Sequence, residues 1–480
     1  MKSILLLASV LYLFVSCNNC SGKNGPAVYP DKPEGSARTD VSAWITSPQA
    51  GILFKQQISS LIFESSTNAE AIIEVDTAQV FQEIDGFGNC LTGGSAILLN
   101  GMESSSRKAL LTELFATDGA NIGISYLRIS IGASDLSDRV FSYNDLPAGQ
   151  TDPDMARFTI EMEKKDMIPV LKEILNINPT IKILGSPWSP PVWMKTNQNS
   201  KGGSLKPEYY DAYALYFVKY IQAMKAEGIN IDAITIQNEP LHPGNQPSML
   251  MLANEQADFI KRSLGPAFKK ASLSTKIIVY DHNADRPDYP MTLLNDPEVA
   301  KYVDGSAFHL YSGTIDALST VHNAFPLKNL YFTEQWIGSP GHLPEDLAWH
   351  IRTLIIGATR NWSRNVLEWN LAADSGNDPH TVGGCDQCLG TVTVSGNSFV
   401  RNPAYYILAH AAKFVRPGSF RIHSNLPDGL PNVAFVTPNQ QKVLIVLNDS
   451  GNQKKFNLKF KGKIVKIQLD KGSVGTFVWQ

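Results

Sequence analysis

The sequence predicts an α/β protein built on a (β/α)8 barrel, and three observations predict it. Through the middle of the chain, short apolar strands alternate with amphipathic helices, the repeat that closes a barrel over roughly 250 residues. Both chain ends instead carry the period-two alternation of strands, which sets a second, β-rich unit apart from the barrel. No glycine-rich nucleotide fingerprint follows any strand, which weakens the competing open, doubly wound sheet. With 480 residues, the chain has length enough for both units.

The chain begins with Lys2, an apolar run from Ile4 to Val15, and Ser16-Cys17. That run is too short to span a bilayer and reads as the core of a signal peptide over residues 1–17. Its end, LFVSC, resembles a bacterial lipobox, with Phe14 where the pattern prefers Leu and Cys17 as the lipid acceptor. The expected location is outside the cytoplasm, as a membrane-anchored lipoprotein of the periplasm or cell surface, otherwise as a secreted protein. Residues 18–40, rich in Gly, Pro, Ser and Asn, read as a linker.

Residues 41–85 contain the β-rich runs AWITS, ISSLIFES and AIIEVD. Residues 86–400 carry the repeat: SRKALLTELFA, MIPVLKEILNI, YYDAYALYFVKYIQAMKAEG, QADFIKRSLGPAFKKA and LAWHIRTLIIGATRN are helical. ISYLRISIG, IKILGSP, DAITIQNEP, KIIVYDH, DGSAFHLYSG, LYFTEQW and VLEWNLAAD are strands. Residues 401–480 return to alternation in VAFVT, KVLIVLND, KKFNLKFKGKIVKIQLD and GTFVWQ. The spacing of Lys455, Lys459, Lys461, Lys463 and Lys466 there reads as the solvated face of a sheet.

A net charge of −3 leaves no basic footprint for nucleic acid. Of the five cysteines, Cys385 and Cys388 form GGCDQC. In an exported chain an isolated C-x-x-C suits a small loop disulfide better than a zinc site, which needs four ligands; free thiols and a redox or metal role are the alternatives.

The working face of a barrel is built at the carboxyl ends of its strands. At those ends stand Arg128 and Asp135, Trp188 and Trp193, Asn238 and Glu239, His309 and Tyr311, Glu334 and Trp336, and Trp369 and Asn370. Together they describe a polar cleft with aromatic walls, two carboxylates and no evident metal cage, and no cofactor is expected. Two carboxylates between aromatic rings suit glycoside hydrolysis, in which one protonates the leaving oxygen and the other supports or attacks an oxocarbenium-like carbon. Neither a G-x-S-x-G elbow nor a P-loop is present to suggest acyl or phosphoryl transfer. The two carboxylates are expected to be Glu239 and Glu334.

GSPWSPPVWMKTN, GGSLKPEYYDAYALYFVKYIQAMKAEGI, TIQNEP, FHLYSG, TEQWIG and WNLAADSGNDPHTVGGCDQC, in that order, resemble glycoside hydrolase family 30, which includes glucosylceramidases and endo-β-1,6-glucanases. The resemblance runs from about Gly86 to the C-terminus. It implies a TIM barrel with a side β-sandwich formed from both chain ends, with Glu239 on the fourth strand as acid/base and Glu334 on the seventh as nucleophile. It also implies a sugar subsite lined by Arg128, Asp135, Trp188, Asn238, Tyr311 and Trp369, to which the residue reading adds His309. The loop after AADSGNDPH departs from the animal glucosylceramidase pattern, and GGCDQC is closer to microbial members.

The expected activity is retaining cleavage of β-glucosidic bonds by double displacement, with an endo-β-1,6-glucanase acting on polysaccharide as the first reading. An exo-acting β-glucosidase or glucosylceramidase-like enzyme is the alternative, with a xylan- or fucose-directed relative behind it. A non-catalytic glycan-binding lipoprotein is a remote one. The partner is then a β-glucan or β-glucoside, with membrane contact only through the lipid anchor. Glu239 is expected to stay protonated through the charge of Glu334 and partial burial.

Overall fold

Eight strands close the barrel: β1 (Gly86–Leu91), β2 (Tyr126–Ser130), β3 (Lys182–Ser186), β4 (Ala233–Thr235), β5 (Lys276–Ala284), β6 (Val303–Gly313), β7 (Asn329–Glu334) and β8 (Ser363–Asn370). The structure, a computed structural model, describes residues 39–480, so the expected signal peptide, Cys17 and nearly all of the linker lie outside the described residues. Every barrel pairing is parallel, and β8 closes the ring on β1 with Asn365 opposite Gly86 and Val366 opposite Phe87.

Seven of the strands coincide with the predicted runs; β1 does not, because GFGNCL has too little β-branched character to read as a strand. Its glycines are there for closeness. A Cβ on Gly88 would fall 1.9 Å from the carbonyl oxygen of Tyr126 on β2. The helices Gly93–Gly101, Asp288–Leu294 and Ala317–Ala324 were likewise not marked by the sequence.

Strand alternation sorts the barrel side chains. Tyr126, Leu184, Ala233, Ile278, Ala307, Tyr331 and Leu367 form one inward cluster, while Leu127, Ile183, Ile234, Ile277, Phe308, Phe332 and Val366 join the larger core with the helices. Two residues toward the carboxyl end, the next inward layer is Arg128, Ser186, Thr235, His309, Thr333 and Trp369. The interior thus changes from apolar to polar within one layer, and that layer is the floor of the site.

Strand β5 breaks the alternation. Tyr280 and Asp281 both have positive φ, 74° and 68°, and the register with β6 jumps from Tyr280 opposite Ala307 to His282 opposite Phe308. This bulge inserts one residue. Tyr280 turns out to pack on Tyr289 and Phe308, and Asp281 takes the inward place that an unbroken strand would give to Tyr280.

The chain ends build one nine-stranded sheet. Its order is Lys463–Leu469, Lys454–Phe460, Ala71–Ile84, Ser419–Ser424, Asn432–Val436, Lys442–Leu447, Val474–Trp479, Val41–Ser47, Ile52–Gln56. Both faces of its middle strands are covered, so they read as continuous apolar runs. Val443, Ile445 and Leu447 face the barrel core, whereas Leu444 and Val446 join Ile73, Phe456, Leu458 and Phe477 in the core of the sandwich. On the outer lysine-rich face, Lys459, partly buried, pairs with Glu74 at 3.1 Å, and the exposed Lys466 pairs with Glu64 at 3.2 Å.

Candidate functional site

Glu239 stands four residues past β4, with φ +45° immediately before Pro240. Residues before proline avoid helical backbone and non-glycine residues avoid positive φ, so this turn is held by its surroundings. The Glu239 N–H donates to the Asp281 carbonyl at 3.0 Å, and the Asn238 N–H to the Pro187 carbonyl at 2.8 Å. Glu334 ends β7 directly. Glu239, His309 and Glu334 each bring a side-chain ligand atom within 4.8 Å of the others.

Beneath the two carboxylates lies a buried ionic network. Arg128, fully buried, donates through Nη1 to Glu334 Oε2 at 2.5 Å and through Nη2 to Asn238 Oδ1 at 2.6 Å and Asp281 Oδ2 at 2.8 Å. Its guanidinium lies 4.8 Å from the Trp188 ring, which stacks on Trp369 at 5.4 Å. Asp281 Oδ2 also accepts from Ser186 and Thr235, and Oδ1 accepts from Thr333 and His309 Nε2. Burial alone would raise the Asp281 carboxyl, but the Arg128 charge and the His309 and Thr235 hydrogen bonds hold it far below the usual carboxylate range. It is a permanent anion.

The state of Asp281 decides the proton above it. His309 Nε2, 3.1 Å from this carboxylate, donates its N–H to it, and Nδ1 lies 3.2 Å from Glu239 Oε1. One proton occupies that Nδ1···Oε1 contact, either on an imidazolium beside a carboxylate or on a Glu239 carboxyl beside a neutral imidazole. Burial lowers His309, yet the Glu334 charge and the hydrogen bonds to Asp281 and Glu239 outweigh it and raise His309 to about 9. For Glu239, burial raises the carboxyl and the His309 hydrogen bond and charge overcome it, so its own affinity for the proton is lowered. The expected protonated Glu239 is thus corrected: its carboxyl is lowered, not raised, and the proton of the contact rests on His309, from which the pair can pass it on. Burial raises Glu334 above the usual carboxylate value, and the His309 and Arg128 charges oppose this only in part; its oxygens accept from Arg128 and from the Tyr311 hydroxyl at 2.9 Å, contacts that favour the ionised form.

Above the carboxylates opens a cavity of about 440 Å³, within the ~300–1,000 Å³ of ligand clefts. One wall is indole and sulfur: Trp336 and Trp369 with the Cys385–Cys388 disulfide, packed on Trp188 and Leu136. The other is imidazole and amide: His242, Asn245, His282 and Asn283, with Tyr311 beside them. Asp135 reaches the cavity from the indole side with its Oδ1 unpartnered, and burial, then the charges of Glu334 and Glu239, push its carboxyl up to about 7.

Of the residues expected to line a sugar subsite, Asp135, Tyr311 and Trp369 line the cavity. Arg128, Trp188, Asn238 and His309 lie behind it, 0%, 2%, 4% and 0% exposed. Arg128 and His309 hold carboxylates. The sequence reading missed Asp281 and His282, although KIIVYDH ends a strand at the working face; the bulge that aims them has no signature there. It missed the polar wall for the same kind of reason, since His242 and Asn245 come from a loop. Lys195 pins that region by donating to Ser189 Oγ, the Ser200 carbonyl and the Ser248 carbonyl. Cys90 is the free cysteine among the described residues, buried against Arg128.

The sequence pattern of the glycosyl hydrolase family 30 TIM-barrel domain matches residues 84–415, and that of the family 30 beta sandwich domain matches residues 418–477. The chain is 38% identical over 391 residues to an endo-1,6-beta-D-glucanase of Neurospora crassa, covering 78% of this chain and 80% of that one. It is 30% identical to the lysosomal acid glucosylceramidase of Mus musculus over 80% of this chain and 78% of that one. A solved endo-beta1,6-glucanase structure superposes with a TM-score of 0.84 at 35% identity, covering 92% of this chain and 99% of the other.

Proposed function

Because the chain belongs to glycosyl hydrolase family 30 and is a glycoside hydrolase, we propose that it is a retaining endo-β-1,6-glucanase with Glu334 as nucleophile and Glu239 as acid/base. The observation that carries the retaining reading is the closeness of the carboxylates. With nearest oxygens within 4.8 Å, the pair lies closer to the ~5–5.5 Å separation of direct nucleophilic attack than to the ~6.5–9.5 Å across which an inverting enzyme seats its water. The linkage is supported by the likeness to endo-β-1,6-glucanases in sequence and in fold.

In the first step Glu334, aimed by Arg128 and Tyr311, attacks the anomeric carbon while the Glu239–His309 pair gives its proton to the leaving oxygen. In the second, Glu239 takes a proton from water as the water opens the glycosyl-enzyme. Asp135, neutral for part of its population near pH 7, can donate to a sugar hydroxyl as well as accept from one. The test is a product profile on β-1,6-glucan beside an aryl β-glucoside and glucosylceramide. A ladder of oligosaccharides early in the reaction is expected; glucose as the sole early product, or hydrolysis of the small substrates alone, would move the enzyme to the exo-glucosidase reading.

The same reading includes export and anchoring through Cys17, supported by Lys2, the apolar run to Val15 and the lipobox-like LFVSC. Cys17→Ala should move the protein from the membrane to the soluble fraction, and an unchanged distribution would remove the anchor.

A further inference from the structure

The bulge in β5 does more than turn Asp281 inward. Consecutive strand residues normally face opposite ways, yet here both Asp281 and His282 serve the site: one in the network beneath it, the other on the cavity wall. His282 is 7% exposed, and its Nδ1 is buried without a hydrogen-bond partner. That leaves Nε2 as the ring nitrogen open to the cavity. Nδ1 is sealed from the cavity, so a ligand can meet this ring only at Nε2, which no protein group among the described residues occupies and which is free to hydrogen-bond a hydroxyl in the cavity.

Its position says which part of the ligand. The His282 ring centroid is 6.5 Å from that of His309, whose Nδ1 touches Glu239, and His282 takes no part in the indole and disulfide cluster, so it stands on the acid/base side of the cavity. His282 and His242 both lie near enough to Glu239 to influence its carboxyl, and burial keeps the His282 ring neutral, lowered to about 4. An acid/base must touch the glycosidic oxygen, and what lies beyond it on that side is the leaving group. The wall there offers His242, Asn245, His282 and Asn283, and Asn283 is itself fixed by accepting from the Tyr311 N–H at 2.9 Å. These are partners for hydroxyls. They give an alkyl chain nothing to bury against.

We propose that His282 is a specificity residue for the leaving group, its imidazole hydrogen-bonding a hydroxyl of the departing sugar and so favouring a carbohydrate over a lipid or aryl aglycone. The proposal rests on the glycosidase reading above and names the side of the cleft where the choice is made. A sugar bound through this contact is held for proton donation by Glu239; an aryl group, with no hydroxyls, passes the same wall without using it.

The experiment compares His282→Ala and His282→Gln with the parent enzyme on a β-1,6-linked gluco-oligosaccharide and on an aryl β-glucoside. For a neutral hydrogen bond, His282→Ala should lower kcat/KM on the oligosaccharide by about 5- to 10-fold. The aryl substrate should change by less than about 2-fold, and His282→Gln should recover part of the loss. Equal loss on both substrates by variants whose circular dichroism spectra match the parent, or no loss on the oligosaccharide, would overturn the proposal. If the parent leaves β-1,6 linkages intact, the linkage reading fails by itself, and the comparison is made on whichever glucosyl disaccharide it does cleave, with the same criterion. A parent that cleaves aryl glucoside and glucosylceramide but no disaccharide would overturn the proposal outright.

Discussion

Glu334→Gln should abolish turnover on every β-glucoside, lowering kcat by about 10⁴-fold or more, because no other carboxylate stands where it could attack the same carbon. Glu239→Gln should behave differently. It should lose about 10²–10⁴-fold on oligosaccharides, whose alkoxide leaving group needs a proton, and less than about 10-fold on glycosylation by an activated aryl β-glucoside, whose leaving group does not. Burst kinetics on the aryl substrate would reveal the difference, since the variant accumulates glycosyl-enzyme when base assistance to water is gone. Equal losses on both substrates would undo the role assignment. The pH profile carries a further sign. The proton that must be given away is held by a pair in which His309 is raised to about 9, so kcat/KM on oligosaccharides should fall as pH rises through that region, not through the ordinary range of a carboxyl group. In Glu239→Gln that alkaline limb should vanish.

The second large effect concerns Arg128. It is the cation shared by Glu334 and Asp281, which are 5% and 0% exposed, and its removal leaves these two buried anions with His309 as their remaining partner. Arg128→Met should cost about 3–5 kcal/mol of stability, the penalty for an uncompensated buried charge, visible as a lower midpoint in denaturant. Activity should fall with it, since Glu334 would then hold a proton and cease to attack. Arg128→Lys separates the two consequences. An ammonium restores the charge but cannot reach Glu334, Asn238 and Asp281 as a planar fork does, so stability should return in part while the rate stays low. Full activity in Arg128→Lys would mean that charge alone, without orientation, suffices at this position.

What could be seen in the sequence follows a physical line. Glu239 and Glu334 were visible because each follows an apolar run at the working face, Glu239 directly before Pro240 and Glu334 as the last residue of β7. Seven strands were visible because parallel strands buried on both faces leave near-continuous apolar runs. β1 was hidden because its glycines serve backbone approach to Tyr126, and glycine gives no strand signal. The roles of Arg128 and His309 were misread for a related reason: a polar residue at a strand end shows that it belongs to the site but not whether it meets ligand or holds another side chain. Asp281 and His282 needed the bulge, a departure from period two that cannot be inferred from the letters YDHNA.

The sheet assembled from both termini ties activity to the timing of synthesis. Val41–Ser47, near the start of the described chain, is paired on one side by Val474–Trp479, which ends at the penultimate residue. Ala71–Ile84 is likewise bordered by Ser419–Ser424 and Lys454–Phe460, and the barrel closes only when β8 meets β1. A growing chain cannot close the barrel before β8 or complete the sheet before Val474–Trp479, so the early sheet strands wait with open edges longest. The same dependence means that a late stop codon, removing little more than the final strand, would strand the first one as well and leave the whole enzyme exposed to proteolysis.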